Sequence, residues 1–323
     1  MNEFARYVVE EHIEDYNDGL INRRELLRRV TLITGSATAT VALLSAMGCS
    51  TEPTSNAPAP VPTSRETSSQ QDFATPPAQP VPDGMTVRED DPRITVAALE
   101  VKGADGAPLI SYHARPAGSS PAGGIVVIHE NRGLTPHIKD VVRRVATAGF
   151  AAVSVDLLSR DGGAEKLTDS AAYSAALSKR PVADMVSDVR QALDALSAAT
   201  GVGDRRGVVG FCFGGGMTFN TLAAGVPVKA AVPFYGPAPQ NTAGLAATKA
   251  AVSVVYAEND ARITGSRDTV ENALKQTGQP YKVTVYPGVD HAFHNDTGQR
   301  YNAAQAEAAW IATIEWFREH LAR

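Results

Sequence analysis

The run Gly207-Val208-Val209-Gly210-Phe211-Cys212-Phe213-Gly214-Gly215-Gly216 joins a short apolar segment, a cysteine and a glycine-rich helix start. Its G-x-C-x-G spacing suits a nucleophile held at the tip of a sharp strand-to-helix turn. Strand and helix pass close together there, so the residues two before and two after the nucleophile must be small; Gly210 and Gly214 meet that need. A helix starting just after Cys212 adds positive potential and free N–H groups, which favour a thiolate and a developing oxyanion. Two other reactive side chains follow in the chain. Asp260 comes after the apolar run 251–257, with Glu258 as a competing carboxylate, and His291 follows the run 282–286 and a turn, with His294 as a competing imidazole. In this order the roles are thiol nucleophile at Cys212, orienting acid at Asp260 and general base at His291. The oxyanion would be met by the backbone N–H of Phe213 and a second N–H after the strand near residue 128, at Asn131.

The elements that must position these residues are readable from hydrophobic patterning. Residues 94–101 and 109–113 read as two strands joined by a turn at Gly103-Ala104-Asp105-Gly106. Residues 124–129, 151–156, 206–210, 230–234, 251–257 and 282–286 are near-continuous apolar runs, as in strands covered on both faces. Helical patterns occupy 136–148, 170–177, 183–199, 266–276 and 303–321. Strands alternating with helices define an α/β fold, with a mostly parallel central sheet flanked by helices in a single catalytic domain. Ligands of such sheets sit at the carboxyl ends of the strands. Those ends carry His129-Glu130-Asn131-Arg132-Gly133, Asp156 with Arg160 beyond it, Cys212, Asp260 and His291. His113, His129 and His137 read as structural or solvated.

The chain divides into four segments. Residues 1–29 are polar and acidic up to a basic stretch with Arg23-Arg24, and read as lying outside the fold. Residues 30–49 are uncharged and moderately apolar. Twin arginines ahead of such a segment resemble a twin-arginine export signal, and Ala46-Met47-Gly48-Cys49 resembles a lipoprotein processing site that would lipidate Cys49. An uncleaved membrane anchor is the other reading, since a span takes about 20 residues. Residues 50–92, rich in Pro, Ser and Thr, read as a disordered tether, and residues 93–323 form the domain. With 43% hydrophobic and 20% charged residues, the chain is of ordinary globular composition. A net charge of −5 and no basic–aromatic cluster argue against nucleic-acid binding. Two cysteines, Cys49 and Cys212, exclude a disulfide framework and a cysteine-rich metal site. No cofactor motif is present, so the expectation is a monomeric enzyme that needs neither metal nor cofactor and meets a membrane only through its N-terminus.

Taken together, Ile128-His129-Glu130-Asn131-Arg132-Gly133, Gly210-Phe211-Cys212-Phe213-Gly214-Gly215, Asp260 and His291-Ala292-Phe293 resemble the dienelactone hydrolases, as do Tyr301 and the Ala-rich run to Trp310. The resemblance covers about residues 94–321. It implies an α/β-hydrolase fold and cleavage of a carboxylic ester or lactone through a Cys-His-Asp triad and a Cys-acyl intermediate. It also implies that Glu130 sits by the resting thiol and takes its proton when substrate binds. Of the family's two carboxylate-holding arginines, it matches one to Arg160, while Asn295 stands at the position of the other. Loops around Arg160, residues 170–180 and Tyr235 are expected to shape substrate choice, with Arg160 and Tyr235 as substrate-binding candidates. A non-enzymatic ligand-binding lipoprotein on the same scaffold is the alternative reading.

Overall fold

The computed structural model describes residues 1–47 and 86–321. Cys49 and most of the expected tether lie outside the described residues. The strands are β1 (Ile94–Ala97), β2 (Val101–Lys102), β3 (Pro108–Leu109), β4 (Ser111–Pro116), β5 (Gly124–Ile128), β6 (Ala151–Val155), β7 (Arg206–Phe211), β8 (Ala230–Phe234), β9 (Ala251–Ala257) and β10 (Tyr281–Tyr286). Eight of them form one sheet in the order β1-β4-β6-β5-β7-β8-β9-β10. From β6 to β10 the strands run parallel, while β4 is antiparallel to both β6 and β1. All five residues of β5, β6 and β8 and all seven of β9 are buried, which accounts for their unbroken apolar character. The first expected strand pair is more broken than its pattern suggests. The Gly103–Gly106 turn closes a separate two-stranded ribbon of β2 and β3, and β1 and β4 pair as the antiparallel edge of the main sheet.

The helices are α1 (Glu3–Asn17), α2 (Arg23–Thr34), α3 (Ala37–Ala46), α4 (Pro136–Thr147), α5 (Gly163–Lys166), α6 (Ser170–Leu177), α7 (Val182–Thr200), α8 (Phe213–Ala223), α9 (Thr242–Ala246), α10 (Ala261–Thr264), α11 (Arg267–Thr277) and α12 (Ala303–Leu321). Sheet and helices share one core that includes Val127, Val209, Phe211, Phe219, Val232 and Phe317.

The N-terminal segment departs from expectation. Residues 1–29 do not stand apart from the fold: α1 is capped by the Asn2 side chain, which accepts from the Ala5 N–H, and its Phe4, Tyr7, Val8 and Glu11 are buried. Its acidic residues meet arginines of the catalytic domain. Glu14 pairs with Arg262 at 3.1 Å, and Asp15 and Asp18 pair with Arg300 at 3.1 and 2.7 Å. Residues 30–46 are not one straight span either. They belong to α2 and α3, which bend by 108° at Gly35, and Val30, Ile33 and Leu44 are buried in the common core. Among the described residues no single helix is long and apolar enough to cross a membrane. The domain also begins before residue 93, because Val87 is buried and its N–H donates to Asp140 at 2.6 Å.

Candidate active site

Cys212 sits between β7 and α8 with φ 56° and ψ −119°, a backbone state that non-glycine residues seldom occupy. The state is maintained by close packing. A methyl group on Gly210 would overlap the Gly214 carbonyl, and one on Gly214 would overlap the Ile128 carbonyl. The Cys212 N–H donates to the Phe234 carbonyl at 3.1 Å, and the Cys212 carbonyl accepts from Gly215 and Gly216 at 2.9 and 3.2 Å. Phe213 is the first residue of α8, so its N–H has no acceptor within the helix.

Asp260 ends the turn after β9 and is fully buried, capping α10 through the Ile263 N–H at 3.3 Å. His291, 1% exposed, donates from Nδ1 to Asp260 Oδ2 at 2.6 Å. Its Nε2 has no hydrogen-bond partner among the described residues. Burial alone would lower the His291 pKa, but the Asp260 charge and hydrogen bond outweigh it and raise it well above the ordinary value. Burial alone would raise the Asp260 pKa; the His291 charge and hydrogen bond reverse that and lower it. The competing residues are engaged elsewhere. Glu258 accepts from the Gly288 N–H at 2.8 Å, and His294 is packed between Phe211 and Trp310 at ring distances of 5.0 and 5.6 Å. His129 is structural, bridging the Glu130 carbonyl and the Leu157 N–H.

The α1 helix lies over the thiol. Tyr7 Oη is 3.2 Å from Cys212 Sγ, and the two Glu11 carboxylate oxygens are 3.7 and 3.8 Å from it. Phe4 packs on Phe213 at a ring distance of 4.8 Å, and Arg262 lies over the Tyr7 ring at 4.8 Å. Asn131 Nδ2 donates to Glu11 Oε1 at 2.8 Å. Burial, then the neighbouring Glu11 charge, push the Cys212 thiol up from its ordinary pKa, against the His291 hydrogen bond and charge, which pull it down. Burial likewise raises the Glu11 pKa. A cavity of about 320 Å³ remains, walled by both parts of the chain, including Glu11, Arg132, Cys212, His291 and Arg300.

Several expected residues are placed differently. Glu130 lines the cavity but its Oε2 accepts from Asn295 Nδ2 at 2.6 Å, and the carboxylate in contact with the thiol is that of Glu11. Arg160 is not in the site. Its guanidinium is held by Asp105 at 2.7 Å and Asp188 at 2.8 Å, two acids remote in sequence, and it does not line the cavity. Tyr235 does not line the cavity either; it is fully buried with φ 34°, its ring 5.1 Å from that of His291. Arg132 stands in the sequence only as part of the run after β5, with no role attached. This exposed residue lines the cavity and makes no hydrogen bond or ion pair among the described residues. Its position two residues after Glu130, at the end of β5, was the available signal.

A parallel-sheet core with a strained cysteine elbow after β7, an acid after β9 and a histidine after β10 defines an α/β-hydrolase. The family model of the dienelactone hydrolase family matches residues 109–321, and the chain belongs to that family, whose members are enzymes hydrolysing ester bonds. A Methylorubrum extorquens protein named as a carboxymethylenebutenolidase is 34% identical over 255 residues, covering 75% of this chain and 87% of its own. An Escherichia coli protein of the same name is 30% identical over 266 residues, covering 79% and 97%. A Klebsiella pneumoniae structure described as a dienelactone hydrolase superposes with a TM-score of 0.64 at 28% identity, covering 70% of this chain and 99% of that one. A dienelactone hydrolase-like promiscuous phosphotriesterase from metagenomic libraries superposes at 0.62 with 26% identity, covering 71% and 99%. Those two solved chains are thus almost wholly matched by less than three quarters of this one.

Proposed function

We propose that the chain hydrolyses small carboxylic esters or lactones through a Cys212-acyl intermediate. The observation that carries this reading is the His291 Nδ1–Asp260 Oδ2 contact of 2.6 Å, which turns a free Nε2 toward the thiol at the elbow. Asp260 keeps the Nδ1 proton in place, so the Nε2 lone pair can accept the Cys212 proton as sulfur attacks the carbonyl. The tetrahedral oxyanion is met by the backbone N–H groups of Phe213 and Asn131. One such donor contributes about 3 kcal/mol of transition-state stabilisation. Collapse breaks the C–O bond and His291 returns the proton to the leaving oxygen, which stays tethered when the substrate is a lactone. Water, deprotonated by His291, then cleaves the thioester and restores the thiol. Glu130 is the further acid–base candidate, once freed from Asn295. The relatives' names, carboxymethylenebutenolidase and lactonase, support the ester or lactone class; membership of a hydrolase family argues against a purely binding role.

We place the anchor for an anionic substrate at Arg132 rather than Arg160. A guanidinium unpaired at the cavity wall can take a carboxylate in a bidentate pair. Arg132→Ala is expected to raise KM for a carboxylate-bearing lactone at least tenfold while changing KM for p-nitrophenyl acetate less than twofold. Equal effects on both substrates would remove Arg132 from substrate recognition.

On location, Arg23-Arg24 ahead of an uncharged stretch supports export with membrane attachment; the packing of Tyr7 and Glu11 over Cys212 favours a retained N-terminal segment over processing at Cys49, which would remove both. A C-terminally tagged full chain should fractionate with membranes; recovery in the soluble cytoplasmic fraction would refute this placement.

A further inference from the structure

We infer that Glu11, Cys212 and His291 together form a site for a divalent transition metal of the zinc type, and that occupancy silences the nucleophile. One donor atom from each residue can be chosen so that all lie within 4.8 Å of one another. The side chains are deeply buried, at 8%, 2% and 1% exposure. Tetrahedral zinc, with Zn–S about 2.3 Å and Zn–N and Zn–O about 2.0 Å, needs its donors only slightly over 3 Å apart. The Sγ to Glu11 Oε1 distance of 3.7 Å is close to that spacing. Thiolate, imidazole and carboxylate form a borderline-soft set suited to zinc rather than to magnesium or calcium.

The supporting shell is also present. His291 donates Nδ1–H to Asp260, which leaves Nε2 as the ligand atom and reproduces the carboxylate–histidine–metal arrangement. Nε2 is buried without a hydrogen-bond partner among the described residues. Glu11 Oε1 is fixed by Asn131 Nδ2 at 2.8 Å. The cavity that these three residues help to line gives the metal an entry path and room for a water as fourth ligand. Binding breaks the Cys212 S–H bond, forms a Zn–S bond and sends the proton to solvent. With one thiolate and one carboxylate, the bound divalent ion is electrically neutralised.

The third ligand distinguishes this chain from a bare cysteine–histidine pair. Glu11 lies on α1, ahead of the region that the family model matches, and solved relatives are matched over 99% of their length by 70–71% of this chain. A metal here ties up the nucleophile's lone pair and the base's lone pair together, and bolts α1 to the catalytic domain. The inference rests on the placement of three side chains, not on the substrate assigned above.

The test uses the full chain. Zinc chloride is titrated in a metal-buffered solution while two quantities are followed: the rate of Cys212 alkylation by iodoacetamide, and p-nitrophenyl acetate turnover. Alkylation reads the site even if no ester is turned over. Zinc should protect Cys212 at near-stoichiometric metal, and Glu11→Gln should raise the zinc needed for half-protection at least tenfold. Cobalt(II) bound to the unaltered chain should show a thiolate-to-cobalt charge-transfer band in the near ultraviolet, which does not depend on how the variant folds. Equal zinc midpoints in Glu11→Gln and the parent would reduce the effect to the cysteine–histidine pair and overturn the three-ligand site. So would absence of protection, or of the charge-transfer band.

Discussion

Cys212→Ala is expected to lower kcat/KM for p-nitrophenyl acetate and for a lactone by about 10⁴-fold or more, equivalent to at least about 5.5 kcal/mol of lost transition-state stabilisation. In the proposed mechanism sulfur supplies the bond that splits hydrolysis into acylation and deacylation, and Cys212 is the one cysteine among the described residues. The other cysteine, Cys49, lies 163 positions earlier, outside the described residues. What survives is catalysis by the oxyanion donors and by binding alone, because Phe213 N–H and Asn131 N–H remain in place. Folding is expected to be retained, since alanine removes one small polarizable atom from a site held by Gly210 and Gly214 packing. Unchanged circular dichroism and thermal midpoint check that the loss is chemical. Turnover within tenfold of the parent would remove Cys212 from the reaction.

Asp260→Asn is expected to cost on the order of 10⁴-fold in kcat/KM with little change in KM. The carboxylate is fully buried and serves two purposes: it fixes the Nδ1–H tautomer through the 2.6 Å contact, and it stabilises the imidazolium formed during attack. An amide presents an NH₂ group as readily as a carbonyl, so it permits the tautomer whose Nε2 carries the proton and cannot accept one. The direction of the pH effect follows from the same contact. Asp260 raises the His291 pKa above its ordinary value. The acidic limb of the parent's kcat/KM profile therefore lies above the usual histidine range and moves to lower pH in the variant. A full pH profile on both proteins checks the two effects at once. A variant with parental rate and an unmoved acidic limb would dissociate Asp260 from His291 function.

Much of the catalytic domain is legible in the sequence because its signals are local. A fully buried parallel strand must be apolar throughout, so β5, β6, β8 and β9 announce themselves. Helices α6 and α12 coincide with their patterns at both ends. The close approach at the elbow demands glycine at two fixed offsets, which makes Cys212 conspicuous. Turn position in the sequence favours Asp260 over Glu258 and His291 over His294; in the structure Glu258 accepts from the Gly288 N–H and His294 sits among aromatic rings.

What escaped notice depends on partners far away in the chain. An acidic, polar α1 reads as solvated, yet Glu14, Asp15 and Asp18 find Arg262 and Arg300 more than 240 positions later. Docking them brings Tyr7 and Glu11 onto the thiol; the spacing of Phe4, Tyr7 and Val8 marks a face of α1 to be buried, but the surface that covers it comes from distant parts of the chain. Arg160 follows β6 as an anchor should, but Asp105 and Asp188 capture it from two other elements. Tyr235 directly follows β8, and its ring turns inward against His291 rather than toward the cavity. Arg132 shows the reverse case, a guanidinium whose lack of an ion pair among the described residues only the three-dimensional arrangement reveals.

The most direct test of the account is rapid-quench intact-mass analysis of the full chain during turnover of p-nitrophenyl acetate, followed by peptide mapping, with Cys212→Ala alongside. The account predicts a transient mass increase of one acetyl group on the peptide bearing Cys212, forming at the rate of the p-nitrophenol burst and absent from the variant. Turnover without any adduct, or with the acetyl group on another residue, would contradict it.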